Sequence, residues 1–428
     1  MIEFTTTRAD LPGRLMAALP LVAAYLLLPM YQVGIRFVSQ DSTLGEVLRS
    51  IPDASVWEAL AGFALLWLAW KTIRPASGFR GIPVVETLFA LGTACLFLAA
   101  LHVWAGPRAY LADFWLRWLV EGAPLVYLLF AGLWCLTFGL PSRRAFRLCG
   151  GVLAALVLAD FLTAFLTLGL SRLPVEAFLP MNREVLACLL GVALCAGMPE
   201  GRREPGSTRL SALDALLILG LAVTFSRTAL FAAACVWLFL GSGSLFSRAV
   251  AAFLFLGCAA FSILLAAPLG VDTVNLDGHL LWMAGVQRYM DRPETLLLAL
   301  GLGPFTLSLP AVVATSLGIP AKTYLLYPEQ IHSLWLRLSL VWSGLGAGVF
   351  LLLIMVPTML RPSRFSAGVI ALILAQGTVF SLFYSPNVTV VLWLALLVGV
   401  ATWKREVLEL EPESVLEEEE VNFHLSDN

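Results

Sequence analysis

The sequence predicts an all-α, polytopic integral membrane protein of about twelve transmembrane helices, and two observations carry that expectation. Hydrophobic residues fill 59% of the 428 positions and charged residues 13%, roughly half the charge of a soluble domain. Too few charges remain to cover a water-facing surface. Apolar runs of about 17–25 residues, the length a helix needs to cross a ~30 Å hydrocarbon core, recur along the whole chain. They are continuous rather than alternating, which excludes a β-barrel. In lipid every backbone group must be satisfied internally, so the runs are helices.

Taken in order, the runs occupy residues 15–33, 55–71, 83–104, 117–138, 148–170, 183–198, 210–225, 228–246, 249–268, 333–356, 366–384 and 386–403. The first is long enough to stay as a span rather than be cleaved as a signal. Lys and Arg in the short connections set the direction. With the N-terminus inside, Arg8 and Arg14, Lys71 and Arg74, Arg143, Arg144 and Arg147, Arg202 and Arg203, Arg248, Arg361 and Arg364, and Lys404 and Arg405 all fall on the cytoplasmic side. Both termini are then cytoplasmic. The span-bearing domain covers residues 1–405 and includes one long outer segment, 269–331, between the ninth and tenth spans; residues 406–428 form an acidic tail. Loops this long are functional or disordered. This one carries Trp282, Tyr289, Phe305, Tyr324 and Tyr327, so short helices lying at the outer interface are expected.

The net charge of −2 says little about partners, and nothing points to nucleic acid. The seven cysteines lie in or beside apolar runs without a Cys-x-x-Cys pair, and are read as small buried apolar residues. No nucleotide-binding loop or Rossmann fingerprint occurs. The outer side lacks Asp-x-Asp and other metal-ligand spacings, so neither a metal nor another cofactor is expected.

Three segments could carry chemistry. In LLILGLAVTFSRTALFAAACVWLFL two apolar runs are joined by little more than Ser226, Arg227 and Thr228. A charge deep in a membrane segment costs about 2.5–3.5 kcal/mol on insertion scales. Arg227 therefore either lines a polar cavity or snorkels to headgroups. In PEQIHSLWLRLSLVWSGLGAG, His332 stands where the outer segment enters the tenth span, with Glu329 one helical turn earlier. Such a histidine is either a satisfied interfacial side chain or a general base. In GHLLWMAGVQRYMDRPETLLLALGLGPF, Arg288 and Arg292 add positive charge, His279 precedes them, and Gly301, Gly303 and Pro304 make a permissive turn. Arginines gathered at one cavity suit phosphate, which guanidinium binds bidentately. An anionic headgroup or a lipid diphosphate would match them, with arginine stabilising the leaving group.

These three segments, in this order over residues 210–355, resemble the O-antigen ligase and polymerase superfamily of bacterial envelope enzymes. The resemblance rests on the Ser-Arg-Thr hairpin, on LLWMAGVQRYMDRP followed by LGLGPF, and on His-Ser opening a helix that later carries Gly-x-Gly. It implies a glycosyltransferase of the bacterial inner membrane that takes a glycan from an undecaprenyl-diphosphate carrier on the periplasmic face. The acceptor would be the lipid A core for a ligase, or another carrier-linked glycan for a polymerase. By the resemblance, Arg227 binds the diphosphate and stabilises its charge, with Ser226 beside it. His332 deprotonates or orients the acceptor hydroxyl, and Arg288 makes a second phosphate contact. Arg292, His279 and Glu329 complete the substrate-binding set. The reaction would be inverting and metal-independent.

The chain departs from the family pattern twice. Gly278 and His279 stand where the family often has an arginine, and Ser343 stands where it has a glycine about eleven residues after the histidine. A flippase or transporter of a lipid-linked substrate and a scaffold subunit remain competing classes. A transporter should show paired halves with broken helices, and no internal repeat is visible.

Overall fold

The computed structural model describes residues 11–27, 29, 53–73, 87–96, 114–168, 182–198, 211–241, 244–266, 305–308, 323–326, 333–360, 363–378 and 380–400. It is a helical protein. The helices are α1 (Leu11–Val22), α2 (Asp53–Ile73), α3 (Thr87–Leu96), α4 (Phe114–Phe138), α5 (Arg143–Leu168), α6 (Arg183–Cys195), α7 (Ala212–Ala222), α8 (Arg227–Leu240), α9 (Leu245–Ala266), α10 (Leu334–Leu360), α11 (Arg364–Gln376) and α12 (Pro386–Val400). Each of the twelve apolar runs overlaps one of them. Stretches of α4, α5 and α10 are long and apolar enough, on length and composition, to cross a membrane.

Most of segment 269–331, where short helices are expected, lies outside the described residues. Its described residues form an antiparallel ribbon, β1 (Phe305–Ser308) with β2 (Thr323–Leu326), in which Phe305 pairs with Leu326 and Leu307 with Tyr324. The aromatic and β-branched residues read as an interfacial helix signal fit a pleated surface as well.

Apolar side chains fill the core and also cover much of the surface. Trp57, Trp134, Trp237 and Phe365 are fully buried, yet Leu129, Leu166, Phe246 and Phe253 are 74–80% exposed. Soluble monomers rarely show such apolar breadth, whereas lipid accepts it at no cost. Helices without a hydrophobic drive to associate rely on small residues for close approach. A Cβ added to Gly220 of α7 would lie 2.7 Å from that of Ala154 on α5, and one on Gly368 of α11 would lie 2.9 Å from Cys195 Sγ on α6.

Polar contacts tie distant parts together. Pro20 inside α1 has no N–H for the Met16 carbonyl; the Trp134 indole N–H donates to that carbonyl instead, at 3.1 Å. A π-helical turn, Ala23–Leu27, follows, and the Tyr25 hydroxyl donates to the Leu189 carbonyl at 2.8 Å. Trp57 of α2 donates to Asn387 of α12, and Trp393 of α12 donates to the Pro124 carbonyl of α4. The first and last helices thereby belong to one core.

Candidate functional site

The Ser226–Arg227 turn is built from both sides. α7 starts at a capping box, Ser211 with Asp214, and its run of Leu, Ile and Ala carries the helix to Ala222. The connection is Val223–Ser226, so Arg227 and Thr228 already open α8. Reversing so tightly forces Phe225 to φ +54°, a left-handed backbone that is an outlier for a bulky side chain. The ring is held by Phe161 and Phe261, at centroid distances of 6.0 and 6.2 Å. Strain of this kind persists only where packing over-determines it, and it clusters at functional sites.

Ser226 is the N-cap of α8, but its hydroxyl makes no capping bond. It donates to Glu184 Oε2 at 2.6 Å. Serine at an N-cap ordinarily accepts from the helix's own amides, so the first-turn N–H groups of α8 lack the side-chain acceptor that the sequence supplies for them. Glu184 is held in turn by Asn182, whose side-chain oxygen caps α6 by accepting from the Glu184 amide at 2.9 Å. Arg183 precedes it on the same helix start. The carboxylate of Glu184 interacts electrostatically with both Arg183 and Arg227, and the two guanidinium groups repel each other. Among the described residues, two guanidinium groups and one carboxylate meet here at the starts of two helices. Such a place suits an anion.

α10 begins at the same end of the bundle. α8 packs on α11, and Gly368 lies against Val236. Arg227 and Gly377 each stand nine residues from that contact in antiparallel helices, so both are about 13 Å toward the same end. There the Leu334 amide donates to the Gly377 carbonyl at 2.8 Å, and Trp335 Nε1 donates to the Leu374 carbonyl at 3.3 Å. Leu334, two residues after His332 in the sequence, is therefore anchored at the Arg227 end.

About one turn deeper lies a buried ion pair. Arg337 donates from Nε and one terminal nitrogen to both carboxylate oxygens of Glu121, at 3.1 and 2.5 Å. Both residues are under 5% exposed, and the guanidinium carbon sits 3.5 Å from the centre of the Tyr384 ring. This pair locks the start of α10 onto α4.

Of the residues singled out from the sequence, Arg227 is half-buried and Ser226 buried at this end. His332, Arg288, Arg292, His279 and Glu329 lie outside the described residues. Sequence reasoning missed Arg183, Glu184, Glu121 and Arg337. A signal was present for the last two: a lone acid and a lone base in two apolar runs, which membrane burial would force to pair.

No family model, curated protein or solved structure matches this chain. The site therefore stands on its own geometry.

Proposed function

We propose that the protein is a twelve-span inner-membrane glycosyltransferase that moves a glycan from an undecaprenyl-diphosphate carrier to an acceptor hydroxyl at the periplasmic face. The observation that carries this reading is the Ser226–Arg227 turn. A strained reversal there presents Arg227 at a helix start with no side-chain cap, beside Arg183, at the end of the bundle where α10 begins. Support also comes from the order of the three sequence segments. The charge-based orientation puts this end outside, with both chain termini in the cytoplasm.

In the proposed reaction the acceptor hydroxyl oxygen attacks the anomeric carbon from the side opposite the diphosphate. The new C–O bond forms as the bond to the diphosphate breaks, which inverts the centre. The hydroxyl proton passes to His332, and the electron pair leaves with the diphosphate. Arg227 stabilises the charge that grows on the leaving oxygens, assisted by the first-turn amides of α8 and by Arg288. A donor aimed at developing charge contributes about 2.7–4 kcal/mol. Glu184 holds Ser226 and balances the paired guanidinium groups when no substrate is bound.

Ligase and polymerase differ in acceptor, lipid A core in the one and a carrier-linked glycan in the other. The test is transfer by purified protein in proteoliposomes supplied with lipid-linked donor and each acceptor. Arg227→Ala and His332→Ala should each lower turnover by about 10²–10³-fold. Full activity in both variants overturns the site. The acceptor consumed distinguishes a ligase from a polymerase.

A further inference from the structure

At the end of the bundle opposite Arg227, the start of α5 borders a cavity of about 510 Å³ lined by Arg143, Arg144, Arg147, Leu148, Ala196, Met198 and Leu213. Its size falls within the range of small-molecule sites. Among the described residues, the charged groups lining or bordering it come from two helices: three arginines of α5 and, bordering it, Asp214 of α7. Arg143 donates to the Met198 carbonyl at 2.5 Å, which closes the C-terminal end of α6. Arg147 donates to Asp214 Oδ1 at 2.6 Å and to the Ser211 hydroxyl at 3.0 Å. The remaining Asp214 oxygen is taken by Ser211.

The acceptors are thus used up while donors remain. Arg144 is exposed and engages no described residue. Arg147 Nε is buried with no hydrogen-bond partner, packed where even a Cβ on Gly197 would come within 3.1 Å. Arg144 stands beside the guanidinium groups of Arg143 and Arg147 at the positive end of a 26-residue helix. The remaining walls are apolar. Leu148, four residues after Arg144 and so on the same helix face, is 51% exposed. The same concavity therefore offers donors at its head and a greasy strip running along α5 toward the bilayer.

We propose that this cavity binds the phosphate headgroup of an anionic phospholipid of the leaflet on that side, with the acyl chains lying along Leu148 and Leu213. Arg144 is the principal ligand; Arg143 and Arg147, tied to the protein, supply fixed neighbouring charge. A free phosphate shares the headgroup chemistry but has no use for the apolar strip. The proposal is independent of the chemistry at the Arg227 end.

The test is native mass spectrometry of the detergent-purified full chain mixed with equal amounts of phosphatidylglycerol and phosphatidylcholine. The wild type should retain phosphatidylglycerol at least tenfold over phosphatidylcholine. Arg144→Ala should cut that preference by about tenfold, the scale of one charged hydrogen bond. Leu148→Glu, a surface change that places a carboxylate beside Arg144, should do the same without touching the Arg147–Asp214 pair. Lys71→Ala, which removes an exposed cation elsewhere at that end, should leave the preference intact. Equal affinity for the two lipids overturns the proposal, as does an equal loss in Lys71→Ala. So does Arg144-dependent binding of inorganic phosphate without any lipid preference, which would assign the cavity to a soluble anion.

Discussion

Ser343 interrupts α10 with φ +74° and ψ 166°, a backbone region that is essentially glycine's own and costs other residues about 1–3 kcal/mol. It stands where the resembled family carries glycine. The serine also contributes something, because its Oγ accepts from the Gly346 amide at 3.2 Å and so caps the half-helix that follows the break. Replacing a capping serine by glycine loses only a few tenths of a kcal/mol, whereas replacing it by alanine loses about 1 kcal/mol. Ser343→Gly relieves the strain and keeps most of the cap, for a net gain of about 1–2 kcal/mol. Ser343→Ala keeps the strain and loses the cap, so it destabilises by about 1 kcal/mol. Unfolding by SDS in mixed micelles, followed through the fluorescence of the 13 tryptophans, should order the proteins Ser343→Gly, wild type, Ser343→Ala. A Ser343→Gly protein no more stable than Ser343→Ala would refute the strain argument.

Other perturbations follow from the same contacts. Glu121→Ala or Arg337→Ala strands a buried charge and should cost about 3–5 kcal/mol, measured by the same titration. The joint replacement Glu121→Gln with Arg337→Met should recover most of it, and single and double variants equally unstable would contradict the pairing. Ser226→Ala frees Glu184 to sit against Arg227, so donor KM should rise while the fold is retained; an unchanged KM would show that the Ser226–Glu184 bond does not tune the site. Trp134→Phe leaves the Met16 carbonyl beside Pro20 without its donor and should destabilise by about 1–3 kcal/mol, with an unaltered titration midpoint as the contrary result.

The helices and their order were legible because continuous apolar runs of helical length mark a helix from local sequence alone. Twelve apolar runs yielded twelve described helices, and the tight Ser226–Arg227 reversal was visible as two runs nearly touching. The ribbon at Phe305–Ser308 and Thr323–Leu326 was not legible. Short apolar stretches rich in aromatics fit a strand or an interfacial helix equally, and only pairing across 14 intervening residues decides between them.

The same division runs through the site. Composition and the continuous apolar runs by themselves determined a helical protein and singled out Arg227, because local hydropathy needs no knowledge of neighbours. Which charges meet was decided by tertiary structure alone. Glu184 reaches Ser226 across 42 residues and Glu121 reaches Arg337 across 216. A buried charge must find its counter-charge, but the chain does not write down which helix will bring it. Helix packing makes that choice, through small residues such as Gly220 and Gly368 that let particular pairs of helices come close.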